Sequence, residues 1–78
     1  MTIYQFACDN TTQQECFSKQ LFGEKDLPED PVKEGDYLIL HNYEQDIQYG
    51  PFKADSDQQR NIDSTAWNGR FTAQVRIT

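Results

Sequence analysis

The stretch from Val32 to Ser56 limits the fold most. Gly35-Asp36 is a turn signal, and Tyr37 to Asn42 follows as a strand-length run rich in aromatic and branched residues. Tyr43 to Asp46 is polar and can reverse the chain. Ile47 to Ala54 then resumes with Ile47, Tyr49 and Phe52 about two apart. This pattern predicts a β-hairpin. Along its first strand Tyr37, Ile39 and His41 share one face, and Leu38 and Leu40 share the other. Both faces carry apolar residues, so the start of the hairpin is expected to be covered on both sides. Pro51 cannot donate to a sheet ladder, which makes the second strand an edge or a bulged strand there; Gly50 beside it favours a bulge.

Other elements follow from the same periodicities. Thr2 to Cys8 has strand composition, with Tyr4, Phe6 and Cys8 on the core face. Thr12 to Glu15 fits a capping box, and Cys16, Phe17, Gln20 and Leu21 lie at helical spacing. A short helix is therefore predicted to about Phe22, ended by Gly23, with Phe17 and Leu21 as its core contacts. Glu24 to Glu34, with Pro28 and Pro31, reads as a surface loop anchored by Leu27 and Val32. Asp55 to Arg60 reads as a polar, mobile segment, and Asn68-Gly69 as a tight turn. Arg70 to Thr78 alternates, with Phe71, Ala73, Val75 and Ile77 on one face, as a half-buried strand does. The expected fold is α+β: a single domain over 1–78 in which a small, curved, mainly antiparallel sheet or partly open barrel is closed by one short helix.

A chain of 78 residues folds as one domain with a modest core. The net charge of −6 is uneven: residues 1–50 hold ten acidic residues against three lysines, and residues 51–78 hold three against four basic ones. Bulk charge therefore excludes general nucleic-acid binding, although a local basic patch remains open. There is no apolar run near the roughly 18 residues a spanning helix needs, and no secretory-type start, so a soluble, cytoplasmic protein without a membrane partner is expected. Cys8 and Cys16 are read as small buried thiols; with His41 as the single histidine, a metal site is not expected.

Catalytic constellations are missing as well. No Gly-rich phosphate loop or nucleophile elbow occurs, His41 stands alone on a strand, and the paired acids Glu29-Asp30 and Asp55/Asp57 lie in loops. No enzyme, catalytic residue or cofactor is predicted. The informative residues are aromatic and basic and crowd the second half of the chain. Tyr49, Phe52 and Trp67 can stack a flat group, and Lys53, Arg70 and Arg76 can hold a phosphate or a base edge; these six are the candidate ligand-binding residues. Packing in a small core is the competing use for the aromatic ones.

Several stretches carry a family resemblance. They are Phe6-Ala7-Cys8-Asp9, Glu15-Cys16-Phe17, Gln20-Leu21-Phe22-Gly23, Tyr37 to Tyr43, Tyr49 to Ala54, Asn61-Ile62-Asp63 with Thr65-Ala66-Trp67, and Gly69 to Arg76. In this order they resemble the DCD (development and cell death) domain of the PUA-like group, whose relatives include EVE, YTH and ASCH domains. Glu24 to Leu27 before Pro28, Thr72, Asp55 and Asp57 depart from the usual pattern. The family pattern also continues beyond the last strand, which makes this chain a minimal version or a fragment. The resemblance implies a PUA-like fold and a non-catalytic binding module. Two partner classes follow: single-stranded nucleic acid or a modified nucleobase, as in PUA-like relatives, or a protein partner or second copy in a stress or cell-death response. A sheet edge exposed at Arg70 to Thr78 is the expected dimer contact.

Overall fold

The structure, a computed structural model, describes residues 3–78. It is α+β, with two three-stranded sheets and one α-helix. The first sheet has strand order β1-β3-β4, formed by β1 (Ile3–Cys8), β3 (Tyr37–Asn42) and β4 (Ile47–Lys53). The second has the order β2-β6-β5, from β2 (Leu21–Glu24), β6 (Ala73–Arg76) and β5 (Gln59–Arg60). Helix α1 (Asn10–Ser18) follows β1, and a short 3-10 turn spans Ala66–Gly69. Thr2, where the first expected strand begins, lies outside the described residues.

The hairpin forms as its pattern predicts. β3 pairs antiparallel with β4, and the ladder slips between Leu38 and Leu40, opposite Gly50-Pro51. β4 is also an edge strand, so both tolerances for Pro51 are used. The two faces of β3 are treated unequally, against expectation. Leu38, Leu40 and Asn42 are buried, whereas Tyr37, Ile39 and His41 are only half-covered. The sheet lies over the core on one side only. β1 joins β3 in parallel, the one parallel pairing in a mainly antiparallel fold, because residues 9–36 are long enough to cross over.

Residues 10–24 depart from the sequence reading. The N-cap is Asp9, not Thr12: Asp9 Oδ1 accepts from the Thr12 amide at 2.8 Å and Thr12 Oγ1 accepts from the Asp9 amide at 3.0 Å, a reciprocal box one turn earlier. The helix ends at Ser18 rather than near Phe22, and Gln20 turns the chain at φ 50°. Leu21 and Phe22 then enter β2, opposite Arg76 and Val75. Both are fully buried, one on each face of a strand, which a helix of this length cannot offer two adjacent residues. Phe17, expected in the core, is 37% exposed.

The C-terminal strand is shorter than its alternation and is not an edge. β6 has β2 on one side, and on the other β5 followed by residues 53–55, with Lys53 and Thr78 exchanging backbone hydrogen bonds at 3.1 and 3.0 Å. An Ala54–Ile77 bridge thereby joins the two sheets. The expected dimer contact at Arg70 to Thr78 is therefore occupied by the chain itself. Asp55 to Arg60 is likewise more ordered than its polarity suggests, because Gln58 is buried and its Oε1 accepts from the Val32 amide at 3.1 Å. Between the sheets lies one core, including Phe6, Leu21, Phe22, Leu38, Leu40 and Val75.

Both cysteines are free and buried in that core. Burial pushes the Cys16 thiol up to about 12 and raises Cys8 as well, so at neutral pH both pack as small apolar groups.

Two carboxylates tie α1 into the fold and set a pH dependence. Asp63 accepts from Thr65 Oγ1 at 2.7 Å, from Lys19 Nζ at 3.0 Å and from the Thr65 amide at 3.0 Å. These donors, the Thr65 hydroxyl first, hold its carboxyl well below the usual range. The Thr12 amide lowers Asp9 in the same way. A carboxylate whose pKa is depressed by folding stabilises the protein above its unfolded value, near about 3.9, and that contribution is lost as pH falls through the folded value. The urea midpoint should therefore hold from pH 7 to about 5 and fall below about pH 4. Asp63→Asn should flatten that acid limb, and an unchanged limb in the variant would show that Asp63 is not coupled to folding.

Candidate interaction surface

Four aromatic or aliphatic side chains remain partly outside the core along β4 and the end of α1. Ile47 and Tyr49 pair with the inward-facing Asn42 and Leu40, so they share the inward face of the edge strand. Phe52, three residues after Tyr49, would point the opposite way in a regular strand. The slipped register brings it back to the inward face opposite Leu38. Phe17 on α1 completes the group, edge-on to Tyr49 with ring centroids 5.3 Å apart and tilted against Phe52 at 6.1 Å. Phe52 in turn meets the buried Phe22 ring at 5.3 Å. The result is an aromatic stripe rooted in the core, with Ile47 and Phe17 well exposed and Tyr49 and Phe52 half-buried.

Gly50 makes this arrangement possible. Its φ of 127° lies outside the ordinary range of L residues, and a Cβ there would sit 2.9 Å from the Leu38 carbonyl oxygen and 3.2 Å from the Phe52 amide. Neither neighbour is a side chain that can swing away. Gly50→Ala should cost about 2 kcal/mol or more from backbone strain and crowding. Thermal denaturation followed by circular dichroism checks this, and a loss under about 0.5 kcal/mol, the size of an ordinary surface change, would contradict it.

Trp67 sits elsewhere and is used differently. It is only 5% exposed, and its indole Nε1 donates to the Thr12 carbonyl at 3.0 Å. Its own amide donates to Glu15 Oε2 at 2.6 Å, which locks the 3-10 turn to α1 with Trp67 at φ 50°. Phe71 packs edge-on against the indole at 5.6 Å, and the Arg70 guanidinium lies 5.4 Å from the centre of the Phe71 ring. Of the six residues picked from the sequence, Trp67 and Arg70 thus meet through Phe71, while Tyr49 and Phe52 meet through Phe17. Lys53 and Arg76 are exposed near the seam of the two sheets, where Lys53 pairs with Thr78 and the Arg76 carbonyl accepts from Asp55. Sequence reasoning missed Phe17 and Ile47 as surface residues. The signal for Ile47 was its place on an edge strand; Phe17 fitted a core pattern and carried no such sign.

His41 Nε2 lies 3.2 Å from Asp46, whose side chain is 94% exposed, so this pair belongs to the surface and not to a closed acid–base site. Among the described residues, no three His, Cys, Asp or Glu side chains gather as metal ligands. Among the described residues no helix is long and apolar enough to cross a membrane.

The site thus belongs to a small α+β fold with a tightly bonded core and an aromatic stripe on one edge strand. Comparison with known families narrows this. The development and cell death domain model matches residues 3–78, and the chain belongs to that family. It is 40% identical to the B2 protein of Daucus carota, over 95% of this chain and 41% of that protein. It is 38% identical to the DCD domain-containing protein NRP-B of Glycine max and 37% identical to NRP-A of the same plant, over 26% and 23% of their lengths. The chain therefore spans less than half of each of these relatives. No solved structure matches it.

Proposed function

We propose that this domain is a non-catalytic protein-interaction module. One observation carries the reading: the lone tryptophan is spent inside the fold, and Phe17, Tyr49 and Phe52, left partly outside, form with Ile47 a stripe along an edge strand whose adjoining turn carries acids. Trp67 would be the strongest stacking platform for a base, but its ring is enclosed and its N–H is bonded to Thr12. The stripe of Phe17, Ile47, Tyr49 and Phe52 is followed along β4 by one cation, Lys53, and preceded by Glu44 and Asp46. That is poor company for a phosphate and ordinary for a protein contact. The family's connection with development and cell death agrees with a role in assembling other proteins. The nucleic-acid reading keeps Arg60, Arg70 and Arg76 as its basis and becomes an outcome of the test.

The test is selection of a displayed protein-fragment library on the native chain, with Phe17→Ser as the counter-bait, beside titration with single-stranded RNA and DNA. The reading predicts fragments retained by the native chain and lost on the variant, with no oligonucleotide binding at about 100 μM even at low salt, where phosphate contacts are strongest. Saturable oligonucleotide binding without any Phe17-dependent fragment would overturn it.

A further inference from the structure

The free side of β4 offers more than an apolar patch. β4 is the last strand of its sheet, and only Lys53, at its end, bonds to another segment across that side, namely Thr78. From Ile47 to Gly50 the free side of the strand faces no other strand among the described residues. Pro51 then withholds its amide, which confines backbone pairing to the first half of the strand. That same half carries Ile47 and Tyr49, and Phe17 stands beside them.

Charge is distributed around this edge in a definite way. Glu44 and Asp46 lie in the turn that leads into β4, and Asp55 and Asp57 follow its end; all four are exposed. Seven residues of strand separate the two pairs, about 23 Å at 3.3 Å per residue. Between them in the sequence Lys53 is the only cation, and Arg76 lies across the seam, its carbonyl accepting from the Asp55 amide. Acids at both ends and apolar side chains between define the complement: an extended segment with alternating apolar residues and a basic residue near each end.

We infer that β4 accepts such a basic, extended segment of a partner protein as an added strand. The inference rests on the reading of the domain as a protein-interaction module and names its edge and its partner chemistry. Backbone bonds to Ile47–Gly50 provide the register. Every second side chain of the incoming strand lies against Phe17, Ile47 and Tyr49, and the alternate ones face water. The four acids attract the flanking Lys or Arg residues, raising the association rate and disfavouring acidic segments. A second copy of the chain is a poor occupant, since it would bring its own four acids to the same ends.

A library of random twelve-residue peptides displayed on phage tests this, read against the native chain and a variant with Glu44→Gln, Asp46→Asn, Asp55→Asn and Asp57→Asn. These changes keep the acceptor atoms that Asn10 and Glu34 use and remove only charge. The expected result is enrichment of basic sequences with alternating apolar residues. In a synthetic representative, amide exchange at Gln48 and Gly50 should slow on binding. Its affinity should fall at least tenfold on the charge variant and several-fold between 50 and 200 mM salt. No enrichment, enrichment of acidic sequences, or protection away from β4 would overturn the inference. If the fragment selection still yields Phe17-dependent partners in that case, the interaction reading stands and only the strand-addition mode falls.

Discussion

Trp67→Ala should lower the unfolding free energy by about 3–5 kcal/mol, the usual loss when a large buried aromatic is truncated. The indole is 5% exposed, packs on Phe71 and approaches Gly23 so closely that a Cβ on Gly23 would lie 2.8 Å from Trp67 Cζ3. The variant also removes the indole donor from the Thr12 carbonyl. A domain of 78 residues has a total stability of about 4–12 kcal/mol, so this single change should bring it near the edge of folding. Urea denaturation by far-ultraviolet circular dichroism measures the loss. A cost under about 1 kcal/mol would mean that the tryptophan is not structural and would return it to the list of surface binding groups.

Gln74→Leu should have a comparable effect for a different reason. Gln74 is 1% exposed although it lies on the face that alternation assigns to solvent. Its Nε2 donates to the carbonyls of Asp63 and Phe71, each at 2.9 Å, and its Oε1 accepts from the Asp63 amide at 2.7 Å. One carboxamide thus satisfies three backbone groups of the segment that carries Trp67. Leucine fills a similar volume but strands the Asp63 amide and the Phe71 carbonyl and leaves the Asp63 carbonyl to the Ala66 amide alone. At about 1–3 kcal/mol for each stranded group that water cannot reach, a total of about 2 kcal/mol or more is expected. Amide exchange of Asp63 and Thr65 should accelerate in the same variant. Unchanged exchange there, together with a small loss in stability, would show that Gln74 does not hold the segment.

The hairpin could be read from the sequence because its signals are local. The strand run Tyr37–Asn42, the polar turn and the pair Gly50-Pro51 each act within a few residues, and the bulge falls at Gly50-Pro51. The end of the helix could not be read in this way. Cys16, Phe17, Gln20 and Leu21 fit a helical face as well as they fit the observed structure. What decides is that Leu21 and Phe22 both need cover, and β6, more than fifty residues later, provides it. Gln74 illustrates the same limit. Period-two alternation places it outside, and only the segment around Asp63, folded over that face, buries it. Gly23 looked like a helix stop; its actual use is to admit the indole and Phe71 beside β2.

The candidate surface was half-readable for the same reason. Tyr49 and Phe52 were picked for being aromatic, and the bulge that turns them to one face was itself expected. Phe17 joins them through tertiary packing, which no spacing rule reports. Trp67 and Arg70 were chosen on the same chemical grounds, and the fold binds them into a separate group with Phe71. Chemical type, then, marks which side chains are able to bind a ligand, and burial decides which are free to do so.

The most direct measurement is an amide and indole chemical-shift map of the native chain during two titrations, one with a peptide from the display selection and one with single-stranded oligonucleotide. The account predicts peptide-dependent shifts at Phe17 and along Ile47–Phe52, with the Trp67 indole resonance unmoved in both titrations. Saturable shifts of the Trp67 indole and Arg70 on adding oligonucleotide, with β4 silent, would contradict it.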